Sequence, residues 1–400
     1  MKEVSKLDKK HLLGYLEKES NDLLEWPILK KHLSSFASTP MGKKAMLDFE
    51  IPSKSEETQN LLDQTKEIYL LETDNEHKIN FEGVFDIKKN VETCFKGGLL
   101  TPIELLEIAD TISSSKKLKK IILNFELRPL LSSILDELVD HDQLEKILKK
   151  GIENNGRIAD GACEKLDQLR KQLNSIKSER RQILDKLIYK NSNYIQDSII
   201  GDRFGRPVLA IKVNFINKFK GIIHDASSSG NTIFIEPEEV VNKGNKIGAL
   251  NAKIAKEEYK LLKQWAELIS SNRDSLILTS DILLRIENAL TRSRYSKWIK
   301  GKPPSFVKDN IQIIGFSHPI LFWENKKNDS HEITPIDFFI NPNTKVVAIT
   351  GPNTGGKTAA LKGLGLALLM AKSGLFIPAN EDPVIPFYKY IYADIGDDQS

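Results

Sequence analysis

The chain has 400 residues, 40% of them apolar and 28% charged. That balance excludes disorder over the whole length and leaves room for two or three domains. Two distant cysteines, Cys94 and Cys163, exclude a disulfide scaffold and a cysteine-based zinc site and fit a reducing compartment. Lys and Arg number 58 against 55 Asp and Glu, a net charge of +3, so contact with nucleic acid would have to come from local patches.

Residues 1–10 are charged with no apolar segment behind them, unlike a signal peptide. The longest apolar run, 364–371, is interrupted by Gly365 and falls far short of the ~18–20 apolar residues a membrane helix needs. The expectation is a cytoplasmic protein with no membrane partner. Residues 1–150 read as a helical core: stretches such as 61–71 and 103–123 repeat apolar residues at helical spacing, and Pro27, Pro40, Pro52, Pro102 and Pro129 punctuate them. Thr101-Pro102-Ile103-Glu104 has the form of a capped helix start.

Residues 151–300 read as a lever and coiled-coil arm with a small β insert near 199–237. Leu166, Leu169, Leu173, Ile176, Ile183 and Leu187 follow steps of three and four, with Arg180 in the one missing position. This heptad serves either as an internal packing seam or as a zipper to a partner. A second helix pattern runs over 238–272. Between the two, 207–213 and 232–236 read as strands and 224–230 (HDASSSG) as the loop joining them. Gly301-Lys-Pro-Pro304 marks a boundary, after which 301–400 reads as the first part of an α/β P-loop domain. Val346-Val-Ala-Ile-Thr350 is an apolar strand pattern, 357–373 a helix with Gly374 as its C-cap, and 388–393 a further strand pattern ending at Asp394.

The residues between that strand and helix are Gly351, Pro352, Asn353, Thr354, Gly355, Gly356, Lys357 and Thr358, the complete GxxxxGK[ST] pattern. Glycines let the backbone wrap phosphates and turn N–H groups inward, and the helix N-terminus adds partial positive charge. Lys357 would reach the β- and γ-phosphates, and the Thr358 hydroxyl would ligate Mg²⁺. ATP with Mg²⁺ is therefore the expected cofactor. Hydrolysis needs more, including a metal-binding carboxylate on a second strand. The later candidates are Asp394, Asp397 and Asp398, and 390–394 reads either as an apolar strand closing on an acid or as an ordinary strand before an acidic loop. No catalytic residue is assigned.

Ile349-Thr-Gly-Pro-Asn-Thr-Gly-Gly-Lys-Thr358 resembles the Walker A segment of the MutS family. Residues 361–378, 393–400 and 221–237 (GIIHDASSSGNTIFIEP), His318-Pro319 and the opening 24–42 resemble its type-two subfamily. The resemblance covers nearly the whole chain. It implies a helical core, a lever with a coiled-coil arm, and an ABC-type ATPase domain that works as a homodimer with ATP sandwiched between P-loop domains. It implies a role in DNA repair, as mismatch repair or suppression of recombination: an ATP-driven clamp on branched, mismatched or recombining DNA, or on collided ribosomes through rRNA. It implies that Asp394 is not the Walker B acid. It also places the signature segment, the Walker B strand, the switch histidine and a C-terminal endonuclease domain after Ser400. The chain is thus expected to be an N-terminal portion that binds ATP, with its standing as an ATPase or other hydrolase open. The alternatives are a nucleotide-binding fragment without hydrolytic activity, or a P-loop kinase of a small molecule.

Other residues invite functional readings. His224, Asp225 and Ser227 have the types of a hydrolytic triad but read as turn chemistry. His318 reads either as a lining of the nucleotide pocket or as a loop histidine. Lys116, Lys117, Lys119 and Lys120, like Lys146, Lys149 and Lys150, read as solvated faces or as contacts to a phosphate backbone.

Overall fold

A computed structural model describes residues 4–73, 79–124, 128–328, 333–351 and 356–395. The described chain is mostly helical, with two four-stranded sheets, so a helical core joined by a partial α/β region is the architecture at that level. Contacts divide it into two compact units. One comprises Met1–Lys89, Asp110–His141 and Asp274–Ser400; the other comprises Asn90–Ala109 and Asp142–Arg273.

In the second unit, the helices Glu164–Lys190 and Glu238–Ser271 pack side by side. Their direction is antiparallel, because Lys165 and Arg170 meet Glu257 and Glu258 at one end while Glu179 meets Lys243 further along. Val240, Ile247, Leu250, Ile254, Leu261 and Trp265 are buried at helical spacing along the longer helix. The facing helix buries Leu166, Leu173 and Leu184, and also Arg170, whose guanidinium donates to the Ile158 carbonyl at 2.7 Å and to Glu258 at 2.6 Å. A buried charge needs such partners. Gly151 has no side chain because a Cβ there would fall 2.4 Å from the Trp265 ring.

The four strands between these helices are β1 (Ile195–Arg203), β2 (Arg206–Lys212), β3 (Gly221–Ala226) and β4 (Thr232–Pro237). They form an antiparallel sheet in the order β1-β2-β4-β3. The expected strands at 207–213 and 232–236 are β2 and β4 within a residue at either end. The expected loop at 224–230 is only partly a loop, since His224, Asp225 and Ala226 belong to β3. The sequence pattern hid β1 and β3 for a reason: both are edge strands, mostly exposed, and both carry register shifts. They therefore lack the apolar alternation that reveals a half-buried strand. Phe204 and Gly205 join β1 to β2 as a two-residue turn with φ of 54° and 76°, the primed geometry of tight hairpins. Leu184, Ile195, Leu209, Ile211, Ile235 and Val240 form the core beneath the sheet.

The first unit holds two helical cores and a second sheet. One core joins the helix Ser55–Thr73 to Pro129–Asp136 and Arg273–Trp298 through Ile68, Leu71, Leu131, Leu135, Ile282, Ile286 and Leu290. The sheet consists of β5 (Ser305–Val307), β6 (Ile311–Phe316), β7 (Ile336–Ile340) and β8 (Val384–Pro386), in the order β5-β8-β6-β7. The helix Lys357–Lys372 is apolar on two sides, and both sides are used. Leu366, Leu369 and Met370 pack against Leu24, Trp26, Leu29 and Tyr295. Ala360, Ala367 and Ala371 pack against Ile313, Phe316, Phe338 and Ile385 of the sheet. Gly374 ends this helix at φ 73°, its N–H on the Ala371 carbonyl and that of Leu375 on the Met370 carbonyl, both 3.0 Å. It is the left-handed terminator expected from the sequence.

Candidate nucleotide-binding site

Of the eight residues in the glycine-rich pattern, Gly351, Gly356, Lys357 and Thr358 are described; Pro352, Asn353, Thr354 and Gly355 lie outside the described residues. Gly356 caps the helix Lys357–Lys372 in the left-handed region at φ 76°, and its carbonyl accepts from the Ala360 N–H at 2.9 Å. A positive φ is cheap only for glycine. The first N–H groups of this 16-residue helix have no intrahelical acceptor, and its first turn carries no acidic residue to neutralise them. The Lys357 ammonium donates to the Gly351 carbonyl at 2.6 Å, bringing the two ends of the loop together. The Thr358 side chain belongs to an exposed residue at the same helix end. A hydroxyl there is the hard oxygen donor that Mg²⁺ prefers, and a lysine at a helix N-terminus is a donor set for a polyphosphate. These residues fit the cofactor as far as they are described. No cluster of three or more metal-ligating acids, histidines or cysteines occurs among the described residues.

Two strand readings next to the loop are corrected. Residues 346–350 are in no strand, and Val346 is 83% exposed. After β7 the chain turns at Asn341–Thr344, with Thr344 N–H on the Asn341 carbonyl at 2.9 Å, and continues without a ladder partner among the described residues. An apolar β-branched run is a strand only when a neighbour takes up its N–H and C=O groups. Residues 388–393 are likewise outside any strand. They still alternate: Tyr388, Tyr390 and Tyr392 are exposed, while Ile391, Ala393 and Ile395 pack against the helical core. This segment is tied down by Ala393 N–H on Ser20 Oγ at 3.0 Å and by Lys372 Nζ on the Lys389 carbonyl at 2.7 Å. Asp394 ends it in an exposed position; Asp397 and Asp398 lie outside the described residues.

His318 opens the helix Pro319–Asn328, its carbonyl accepting from Phe322 N–H at 2.9 Å. Its ring is buried against Gly363 of the helix that follows the glycine-rich loop, where a Cβ on Gly363 would lie 3.0 Å from Cδ2. Burial lowers its pKa, and Lys362 lowers it further, while Glu25 pulls the other way. Lys362 and Glu25 pair at 3.0 Å. The histidine therefore braces that helix as a neutral ring.

The triad-like residues of the other unit face different partners. His224 Nε2 is 3.0 Å from Glu236 Oε2, Arg203 Nε donates to Asp225 at 3.3 Å, and Ser227 Oγ accepts the Thr232 N–H at 3.1 Å. No serine–histidine pair forms among the described residues: Ser227 serves the turn after β3, while His224 and Asp225 lie in β3 and reach Glu236 and Arg203 on other strands, so the turn reading holds for Ser227 alone. Sequence reasoning missed Glu236, which is almost completely buried and also accepts from Arg206 at 3.3 Å, whose other nitrogen donates to Asn245 at 2.8 Å. A glutamate closing the apolar strand 232–236 was the available signal. Of the basic runs, Lys116 lies 3.6 Å from Asp140 and Lys149 3.1 Å from Glu145, and Lys117, Lys120, Lys146 and Lys150 are exposed.

Comparison with known proteins bears on the loop. Residues 347–400 match the family model described as MutS domain V. The chain is similar to proteins named Endonuclease MutS2: 36% identical over 96% of this chain and 47% of the Synechocystis sp. protein, 33% over 94% and 48% of that from Halalkalibacterium halodurans, and 31% over 94% and 48% of that from Geobacillus sp.. The chain spans about half the length of the curated relatives it matches.

Proposed function

Since this chain belongs to the MutS family and fits its MutS2 subfamily, we propose that it is the ATP-binding portion of a DNA-associated clamp. The observation that carries the reading is the Lys357 ammonium held across the loop ends, 2.6 Å from the Gly351 carbonyl, at the N-terminus of a helix buried on two sides. Lys357 would exchange that carbonyl for the phosphates of a bound nucleotide. The N–H groups of Gly356, Lys357 and Thr358 add donors, and the Thr358 hydroxyl takes a position on Mg²⁺. Rigid packing of the helix fixes those donors before the ligand arrives, which reduces the ordering cost of binding.

The ligand we propose is branched or mismatched DNA, bound by a homodimer whose conformation depends on nucleotide state. ATP and DNA are then coupled because each favours a different state of the dimer. Hydrolysis and the nuclease activity in the relatives' names are not carried over to these 400 residues. Binding of a four-way DNA junction, measured by gel shift with and without Mg-ATP, tests the reading. The expected result is junction binding preferred over linear duplex, with an affinity that changes when ATP is added. Equal binding of junction and duplex, indifferent to ATP, would remove the clamp. Preferential binding of ribosomes over junctions would replace DNA as the ligand.

A further inference from the structure

The first unit carries a cavity of about 560 Å³ that none of the described loop residues Gly351, Gly356, Lys357 and Thr358 lines. Lys66 and Tyr69 of the helix Ser55–Thr73 form one wall; Lys297, Lys300 and Lys302 form another. Among the described residues Asp382 is the single carboxylate on the lining, beside four lysines. Lys300 and Lys302 enter no ion pair among the described residues. Lys297 donates only to the Glu72 carbonyl, at 3.4 Å, and Lys66 stands 3.7 Å from Asp63. The lysines outnumber the acids on this lining, and Lys297, Lys300 and Lys302 are exposed, so the cavity presents net positive charge to an incoming ligand.

The backbone supplies a second observation. Two helices of this unit end in the same motif. In one, the left-handed position belongs to Gly374, at φ 73°. In the other, Lys300 holds that position at φ 54°, with its own N–H on the Lys297 carbonyl at 3.2 Å and the Gly301 N–H on the Ser296 carbonyl at 2.8 Å. Glycine is the unstrained choice there. A lysine kept in a strained terminator, at the rim of a cavity already rich in lysine, marks a site where the side chain is used. The floor is aromatic: Tyr69 lies against Phe376 with ring centroids 5.2 Å apart, and Phe376 is itself buried behind it. Gly301 lets the chain close over that ring, since a Cβ would meet Phe376 Cβ at 2.8 Å.

Cations at the rim, a supported aromatic ring inside and the volume of a small-molecule site define one chemistry. We propose that this cavity binds a nucleoside phosphate, with the base against Tyr69 and the phosphate on Lys300 and Lys302, as a second nucleotide site separate from the glycine-rich loop. The nucleoside phosphate is either a free mononucleotide or one unit of a single strand, whose bases stack on aromatic side chains in the same way.

The test uses the whole chain carrying Lys357→Ala, so that the loop does not report. Calorimetric titration with AMP and with a 5′-phosphorylated dT5 probes the two sources. Saturable binding of AMP assigns a free nucleotide; binding of dT5 without AMP assigns a strand. In either case Lys300→Gly combined with Lys302→Ala should weaken binding about tenfold or more while leaving the melting temperature equal or higher, because glycine relieves the left-handed strain. Tyr69→Ala should weaken AMP or dT5 but leave inorganic pyrophosphate unaffected. Three results would overturn the proposal: no saturable binding of either probe up to on the order of 1 mM, binding indifferent to Lys300→Gly with Lys302→Ala, or pyrophosphate binding as tightly as AMP and equally indifferent to Tyr69→Ala.

Discussion

The sheet of the helical-arm unit and the segment leading into the glycine-rich loop contain similar sequence and meet opposite outcomes. Residues 207–212 of the run PVLAIKV lie in β2, a central strand with Val208, Leu209 and Ile211 completely buried. Residues 346–350 (VVAIT) are as apolar and as β-branched, yet lie exposed in no strand. The difference is the neighbour. β2 has β1 on one side and β4 on the other to take its backbone hydrogen bonds, whereas 346–350 has no such strand among the described residues. Intrinsic β preference is mostly fitness for a pleated, half-buried surface, and it vanishes where that surface is missing.

Truncation separates the two regions most sharply. Leu209→Ala should destabilise the arm unit by about 2–5 kcal/mol, the cost of a cavity in a closed core. Val346→Ala should change stability by no more than about 0.5 kcal/mol, as at ordinary surface sites. Thermal unfolding of both variants measures the contrast, and equal effects would break it. Glu236→Ala ranks next, at about 1–3 kcal/mol, because it leaves His224 and Arg206 facing a vacated buried acceptor. Ser227→Ala, in the turn between β3 and β4, should cost less than about 1 kcal/mol, the net worth of one hydrogen bond. A Ser227 effect larger than that of Glu236 would contradict the assignment of Ser227 to the turn and of His224 to the pair with the buried Glu236.

The smallest expected effect concerns pH. His318 has its pKa lowered from 6.5 by burial against the helix behind the loop. The unfolded chain then binds the proton more readily than the folded one. The stability that the neutral ring contributes is present above 6.5 and is lost as pH falls through the window from 6.5 down to the lowered folded value. Melting curves of the chain and of His318→Gln, taken between about pH 7.5 and 5, should shift in favour of the variant as pH falls. Parallel curves would mean that the histidine is solvated.

Much of this was legible in the chain itself. The helix after the loop and its terminator at Gly374 follow from an Ala- and Leu-rich run stopped by glycine. The helices at 164–190 and 238–271 follow from spacing, though not their antiparallel pairing, and β2 and β4 follow from short apolar, β-branched runs between turn signals. Edge strands such as β1 were not legible, because exposure removes the pattern. Nor was the failure of 346–350 to pair, because pairing is a property of partners rather than of the segment. Lys300 was invisible for a similar reason: a lysine in a left-handed terminator looks in sequence like any lysine near a helix end. In the candidate nucleotide site the residue types were readable in full, while the geometry of Pro352, Asn353, Thr354 and Gly355 lies outside the described residues.

The central claim is that Lys357, at a preorganised helix N-terminus, holds a nucleotide. Calorimetric titration of Mg-ATP into the chain and into Lys357→Ala tests it most directly. The account predicts one saturable nucleotide site lost in the variant, with any site that survives there sensitive to Lys300→Gly. Equal Mg-ATP binding to both proteins at every site would contradict it.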